Sequence, residues 1–223
     1  MEFAMETAQF AGHLPSEGLL CSPCRFAPPE FERAVAHAVY QGELRETIHL
    51  LKYERMHTAA RLLGGLLAQT ILTLEADAAK DLLVVPVPLF PAKERQRGYN
   101  QSRLIAEVAL VELKRRRPSW RVHLTPALRR RRDTESQFAL SPRGRRRNLQ
   151  GAFEVDSAIS LLNREVLLVD DIYTTGATAR ECARVLRRAG ARKVWVVTVA
   201  RAQAVRVALW EQSGLPHAPI GFG

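Results

Sequence analysis

The stretch Glu165-Val166-Leu167-Leu168-Val169-Asp170-Asp171-Ile172-Tyr173-Thr174-Thr175-Gly176-Ala177-Thr178 narrows the possible folds more than any other part of the chain. A short continuous apolar run reads as a strand buried on both faces. It stops at two acids, turns through hydroxyl-bearing residues and a glycine, and enters a segment from about Ala177 to Ala189. There Cys182, Val185, Leu186 and Ala189 share one helical face. Gly190 ends that helix, and Lys193-Val194-Trp195-Val196-Val197-Thr198-Val199 reads as a further strand. Strand, helix and strand joined this closely pack in parallel, so the chain is α/β with a Rossmann-like, mostly parallel sheet flanked by helices.

In such sheets ligands bind beyond the carboxyl ends of the strands, where this turn must lie. The free N–H groups at a helix start favour a phosphate. Gly176 admits close backbone approach, and Thr174, Thr175 and Thr178 add hydroxyl donors. Adjacent carboxylates repel a bare phosphate but suit ribose hydroxyls, or a magnesium ion reached through water. A capping turn alone needs only one Thr or Asp. The full pattern describes a sugar with a phosphate beside it.

The rest of the chain organises around this unit. Residues 1–30 lack periodicity and hold Pro15, Pro23, Pro28 and Pro29, which predicts a short irregular N-terminal segment ahead of one domain over 31–223. From Phe31 the pattern turns helical, with Leu44, Ile48 and Leu51 on one face. A second helix is expected over about His57–Leu74, although Gly64 and Gly65 each weaken it by about 1 kcal/mol relative to alanine. Leu82–Val85 is a buried strand stopped by Pro86-Val87-Pro88, and a helix follows from Asn100 to Arg115. Residues 129–147 read as an exposed loop with at most a short helix, and Ala152–Val155 as a short strand.

Charge is distributed unevenly. Residues 91–150 hold 17 Lys or Arg against 5 Asp or Glu, a net of +12, while the remainder of the chain stands at −2. A solvated face would spread its charge, so this segment points to a polyanion, either a phosphate-rich small molecule or nucleic acid. Cys21 and Cys24 form a lone C-x-x-C, half of a structural zinc site, and no zinc is expected. The uncharged run Leu62–Leu74 is far short of a membrane span. Glu2 and Glu6 make a poor secretory start, so a cytoplasmic protein is expected.

Three motifs in one order carry a resemblance to the ComF (GntX) competence-protein group of the type I phosphoribosyltransferase fold, over about residues 40–201. The first is Pro86-Val87-Pro88-Leu89, leading through Lys93 and Arg97 to Gly98-Tyr99-Asn100-Gln101. The second comprises Arg132, Thr134, Gln137, Leu140, Arg147, Asn148, Gly151, Ala152 and Phe153, and the third is the Asp-Asp to Thr-Thr-Gly-Ala-Thr stretch. The resemblance implies a site for phosphoribosyl pyrophosphate (PRPP) with Mg2+. Asp170 and Asp171 would be its catalytic pair and hold the ribose hydroxyls. Thr174, Thr175, Gly176, Ala177 and Thr178 would cradle the 5′-phosphate. Pro88, Leu89, Lys93, Arg97, Arg132 and Arg147 would border the pyrophosphate, and the arginine-rich stretch would stand in the place of a mobile loop.

Two departures stand out. A four-cysteine zinc ribbon is reduced to Cys21 and Cys24, and Phe90 replaces a common histidine after Pro-Val-Pro-Leu. Two functions follow from the resemblance. One is transfer of a phosphoribosyl group with release of pyrophosphate. The other is non-catalytic ligand binding in DNA uptake, with Arg129, Arg130, Arg131, Arg145 and Arg146 on the backbone of single-stranded DNA. Trp120 is a stacking candidate, although a core position suits it better.

Overall fold

Strands rich in Val and Leu, with apolar side chains on both faces, can be stable only between two layers, and the computed structural model shows them placed so. It describes residues 28–133, 144 and 148–202. The strands β1 (Arg33–Val39), β2 (Asp81–Pro86), β3 (Arg121–Leu124), β6 (Glu165–Tyr173) and β7 (Lys193–Arg201) form one sheet in the order β1-β7-β6-β2-β3, with every pairing parallel. Helices α1 (Gly42–Tyr53), α2 (Ala59–Leu72) and α4 (Gln101–Arg116) cover one face, α3 (Pro91–Arg97) joins β2 to α4, and α5 (Ala177–Arg188) covers the other face. An antiparallel pair, β4 (Leu128–Arg130) with β5 (Phe153–Val155), packs beside α5.

Alternation along the strands divides the core. Leu82, Val84, Leu167, Val169 and Val197 meet Leu67, Ile105 and Leu113 of the three-helix face. Leu83, Val85, Val166, Leu168 and Val196 meet Cys182, Leu186 and Phe153. Each such side chain removed from water contributes about 1.5–3 kcal/mol. Glu165, at the start of β6, is buried yet satisfied: it accepts from the Ala79 N–H at 2.9 Å and Trp195 Nε1 at 3.0 Å, and pairs with Arg192 at 2.6 Å. Those partners outweigh its burial and hold its pKa below the ordinary value.

Gly64 has a packing reason to be in α2. A Cβ there would lie 2.5 Å from the Val108 side chain, so the glycine lets α2 approach α4 closely. Trp120 is buried, and its indole N–H donates to the Ala79 carbonyl at 2.8 Å, so it belongs to the core.

Two local readings are corrected, and one strand went unread. Arg33–Val39 is an edge strand rather than the start of a helical region. Its alanines suit a helix, but pairing with β7 decides the outcome, as tertiary context does for weak propensities. Arg129 and Arg130 belong to β4 rather than to a loop. Arg121–Leu124 is a short edge strand whose Arg-Val-His-Leu sequence gave too little pattern to be seen. Among the described residues no helix is long and apolar enough to cross a membrane.

Candidate functional site

The central strand β6 delivers Asp170 and Asp171 to the carboxyl end of the sheet, between β2 and β7. Thr174 and Thr175 are exposed in the turn that follows, and Thr178 is half-buried in the first turn of α5. Gly176 is the N-cap residue at φ 74°, in the left-handed region that glycine tolerates. A Cβ at that position would overlap the Tyr173 hydroxyl, so the glycine also makes room for that ring. No side chain caps α5. Its leading N–H groups are therefore left to an anion or to solvent. Val87, Asp170, Tyr173, Thr174, Gly176 and Thr178 line a narrow cleft with about 20 Å3 of free volume, room for a water molecule or so, so a ligand seated there would extend out through its mouth.

The two acids have different surroundings. Asp170 Oδ1 accepts from Ser102 Oγ at 2.9 Å and from the Asp171 N–H at 2.9 Å. Burial, and then the Asp171 charge, push the Asp170 pKa up to about 7, with Lys52 pulling the other way. Asp171 does not line the cleft. Its Oδ2 lies 2.6 Å from Lys52 Nζ, with side-chain exposures of 6% and 18%. Burial alone would lower the lysine pKa, but the Asp171 and Asp170 charges overcome it and raise it.

The Gly-Tyr-Asn-Gln motif braces this arrangement. Asn100, itself buried, donates from Nδ2 to the Val87 carbonyl at 2.9 Å, and its Oδ1 caps α4 by accepting from the N–H groups of Ser102 at 2.9 Å and Arg103 at 3.2 Å. The Val87 N–H donates to Val169 at 2.9 Å, which ties the turn after β2 to β6. The Tyr99 hydroxyl donates to the Leu51 carbonyl at the end of α1. Pro88 is buried in that turn and Leu89 is half-buried. Phe90 is the N-cap residue of α3.

The basic residues divide by position. Lys93 pairs with Asp133 at 2.9 Å. Arg97 donates to the Gln101 side chain and lies over the Tyr53 ring, 5.8 Å from its centroid. Arg132 donates to the Gln150 carbonyl. On β4 the side chains alternate. Arg129 pairs with Asp156 at 2.5 Å and Arg131 with Glu154 at 3.3 Å. Arg130 is half-buried over the Phe153 ring, 5.5 Å from its centroid, within electrostatic reach of Asp170. Burial lowers its pKa. Arg145, Arg146, Arg147, Cys21 and Cys24 lie outside the described residues.

Sequence reasoning missed Lys52 and Ser102. Lys52 had a signal: the i, i+4 series from Leu44 and Ile48 next falls on it, and a charged residue stands where an apolar one is due. Ser102 had none beyond its place after the motif. Among the described residues no group of three or more His, Cys, Asp or Glu side chains could hold a metal ion. Two carboxylates, one of them paired with Lys52, do not make a protein-built Mg2+ site. The donor set fits the ion only as company for a phosphate ligand that brings its own oxygens.

No family model matches the chain. The DNA utilization protein YhgH of Escherichia coli K12 is 35% identical over 191 residues, covering 85% of this chain and 78% of that protein. Competence protein F of Haemophilus influenzae is 30% identical, covering 86% and 85%. Among solved structures, the glutamine PRPP amidotransferase of B. subtilis aligns over 63% of this chain and 26% of its own, at 22% identity and a TM-score of 0.35. A hypoxanthine phosphoribosyltransferase of Staphylococcus aureus aligns over 68% of each chain at 16% identity and a TM-score of 0.33. Superpositions that low leave the assignment to the sequence relatives and to the parallel sheet with its acid-pair turn. On those grounds the chain belongs to the ComF (GntX) competence-protein family, with a phosphoribosyltransferase-like fold.

Proposed function

We propose that the cleft at the end of β6 binds PRPP or a related ribose 5-phosphate ligand, and that its chemistry is transfer of the phosphoribosyl group with loss of pyrophosphate. One observation carries this reading: the half-buried Asp170 carboxylate and an uncapped helix start share one small cleft. Ribose hydroxyls donate to the carboxylate, and the 5′-phosphate accepts from the N–H groups of α5 and the hydroxyls of Thr174, Thr175 and Thr178. Asp170 and Asp171 form the acid pair, with Asp170 on the cleft. The turn at Val87–Leu89, braced by Asn100, borders the pyrophosphate. Lys93, Arg97, Arg132 and Arg147 supply positive charge on that side. Mg2+, carried in with the ligand, would offset further phosphate charge.

In such a transfer the anomeric carbon becomes cationic as its bond to pyrophosphate breaks. Positive groups fixed near the departing oxygens lower that barrier more than any proton transfer. Titration of PRPP by calorimetry, with and without Mg2+, followed by a pyrophosphate-release assay, tests both halves. Saturable binding in the micromolar range is expected, and Asp170→Asn should weaken it by roughly ten- to a hundredfold, the range for a hydrogen bond to a charged group. Absence of binding in wild type refutes the reading. Binding without pyrophosphate release leaves a ligand-sensing protein.

The charge map supports a second ligand, single-stranded DNA, since a net of +12 in residues 91–150 exceeds what one pyrophosphate needs. The names of the relatives, a DNA utilization protein and a competence protein, agree with it. Arg129, on β4, and Arg131, just after it, are both exposed and are its best-placed contacts among the described residues.

A further inference from the structure

We propose that Lys52 is a positioning residue for the ribose end of this site: its ammonium pins the Asp171 carboxylate on the helical side of the sheet and leaves Asp170 as the carboxylate that meets the ligand. The inference rests on the phosphoribosyl reading of the cleft and adds a residue that none of the three motifs contains.

Geometry carries the argument. Neighbouring residues of a strand point to opposite faces, and here one acid of the pair lines the cleft while the other does not. Asp171 is directed at Lys52, 2.6 Å away, and both side chains are largely out of solvent. A buried charge needs a partner, and removing one partner of such a pair leaves the other uncompensated. The mount is firm: Tyr99 donates to the carbonyl of Leu51, the residue before Lys52, and Arg97 lies over the ring of Tyr53, the residue after it.

The consequence for the ligand is electrostatic. Two adjacent carboxylates in a dry site cannot both stay charged without a cation, and a protonated Asp170 loses acceptor capacity for ribose hydroxyls. Among the described residues the groups facing this pair are few. Lys52 lies on α1 with Tyr53 beside it, Ser102 comes from α4, Arg130 from β4, and Cys182 from α5. Burial raises the Cys182 thiol well above its ordinary value, so it stays neutral. Arg130 acts on Asp170 from the far side. Among the described residues Lys52 is the cation in direct contact with the pair.

The test is a double-mutant cycle in PRPP affinity on the full chain, using Lys52→Met, Asp171→Asn and the pair together, with thermal unfolding to confirm folded protein. Lys52→Met is expected to weaken binding at pH 7 by tenfold or more, whereas Asp171→Asn, which removes the charge that opposes ionisation of Asp170, should stay within about threefold of wild type. The double variant should be no weaker than Asp171→Asn alone within about threefold, because the lysine acts through that carboxylate. The affinity of Lys52→Met should climb back toward wild type between pH 7 and 9, as Asp170 gives up its proton, a recovery that a merely structural lysine would not produce. Unchanged affinity in Lys52→Met would overturn the proposal. So would additive losses in the double variant, which would mean that Lys52 touches the ligand itself.

A measurement without ligand separates this inference from the PRPP reading. In the apo protein, carboxyl 13C shifts should show the Asp170 midpoint moving up in Lys52→Met and returning in the double variant. That result sustains the role of Lys52 even if PRPP does not bind, and an unmoved midpoint rejects it even if PRPP does.

Discussion

Burial holds the Asp170 carboxyl at about 7, well above its ordinary value of 3.8. The folded protein therefore binds a proton there over a pH range in which the unfolded chain has already released it. Stability contributed by this group is full below about pH 4 and declines as pH rises to about 7. Asp170→Asn removes that decline, so the variant should be the more stable protein above pH 7, with the advantage fading to nothing near pH 4. Urea unfolding at a series of pH values checks it; equal stability across the range would show that Asp170 is not held in this environment. The same group sets the pH dependence of the ligand: if ribose hydroxyls donate to the charged carboxylate, PRPP affinity should rise as pH passes through about 7. Other acids show how local this is. Hydrogen bonds, from the Ala158 N–H first and then from Arg129, hold Asp156 below its ordinary value, and it makes no comparable demand.

At the scale of elements, what could be seen in the sequence depended on how many neighbours each element has. β2, β6 and β7 each lie between two other strands and announced themselves as apolar runs. α2, α4 and α5 kept their periodicity because one face of each is buried. The edge strands β1 and β3 have one neighbour each, so Ala34, Ala36 and His37, or Arg121 and His123, sit where an inner strand would need larger apolar residues. The acid-pair turn was legible because strand, acids, threonines and glycine are contiguous. Lys52 and Ser102 reach it only through tertiary packing: the broken i, i+4 series marked Lys52 as out of place without naming its partner, and Ser102 gave no sign. Gly64 looked like a defect in α2 and proved to be a point of close approach. Gly64→Ala should therefore destabilise by about 1–3 kcal/mol, the usual cost of overpacking, despite alanine's helix propensity. A rise in urea midpoint would refute the close approach, and Gly65→Ala, where a Cβ meets nothing within 4 Å, is the control.

For the whole molecule, the basic segment is less free than its composition suggested. Arg115 and Arg116 pair with Glu112, Arg117 with Glu75, Arg129 with Asp156 and Arg131 with Glu154. Exposed pairs of this kind are worth about 0–1 kcal/mol each, so a strand of phosphates can displace them. Binding to single-stranded DNA should then be insensitive to sequence and fall with salt, with a log–log slope of about −0.7 for each phosphate neutralised. Replacing Arg129 and Arg131 together should flatten that slope by roughly 1.4 while PRPP affinity stays within about threefold of wild type. Fluorescence anisotropy decides it, and no binding at moderate salt would refute a DNA-contacting surface.

The parallel register also governs the order in which the protein can assemble. Leu82 pairs with Glu165 and Arg33 with Trp195, so β2 meets β6, and β1 meets β7, only after long intervening stretches have been gathered in. Closing such loops precedes the gain from the contacts they bring, and chains of this topology fold slowly. The bonds that complete the cleft, from Ser102 to Asp170 and from Lys52 to Asp171, span the same separations and come into being with the finished sheet. A ligand that reads this cleft has nothing to grip beforehand. Added PRPP should therefore slow unfolding in stopped-flow experiments and leave the refolding rate unchanged, acting as a brake on disassembly rather than a guide to assembly.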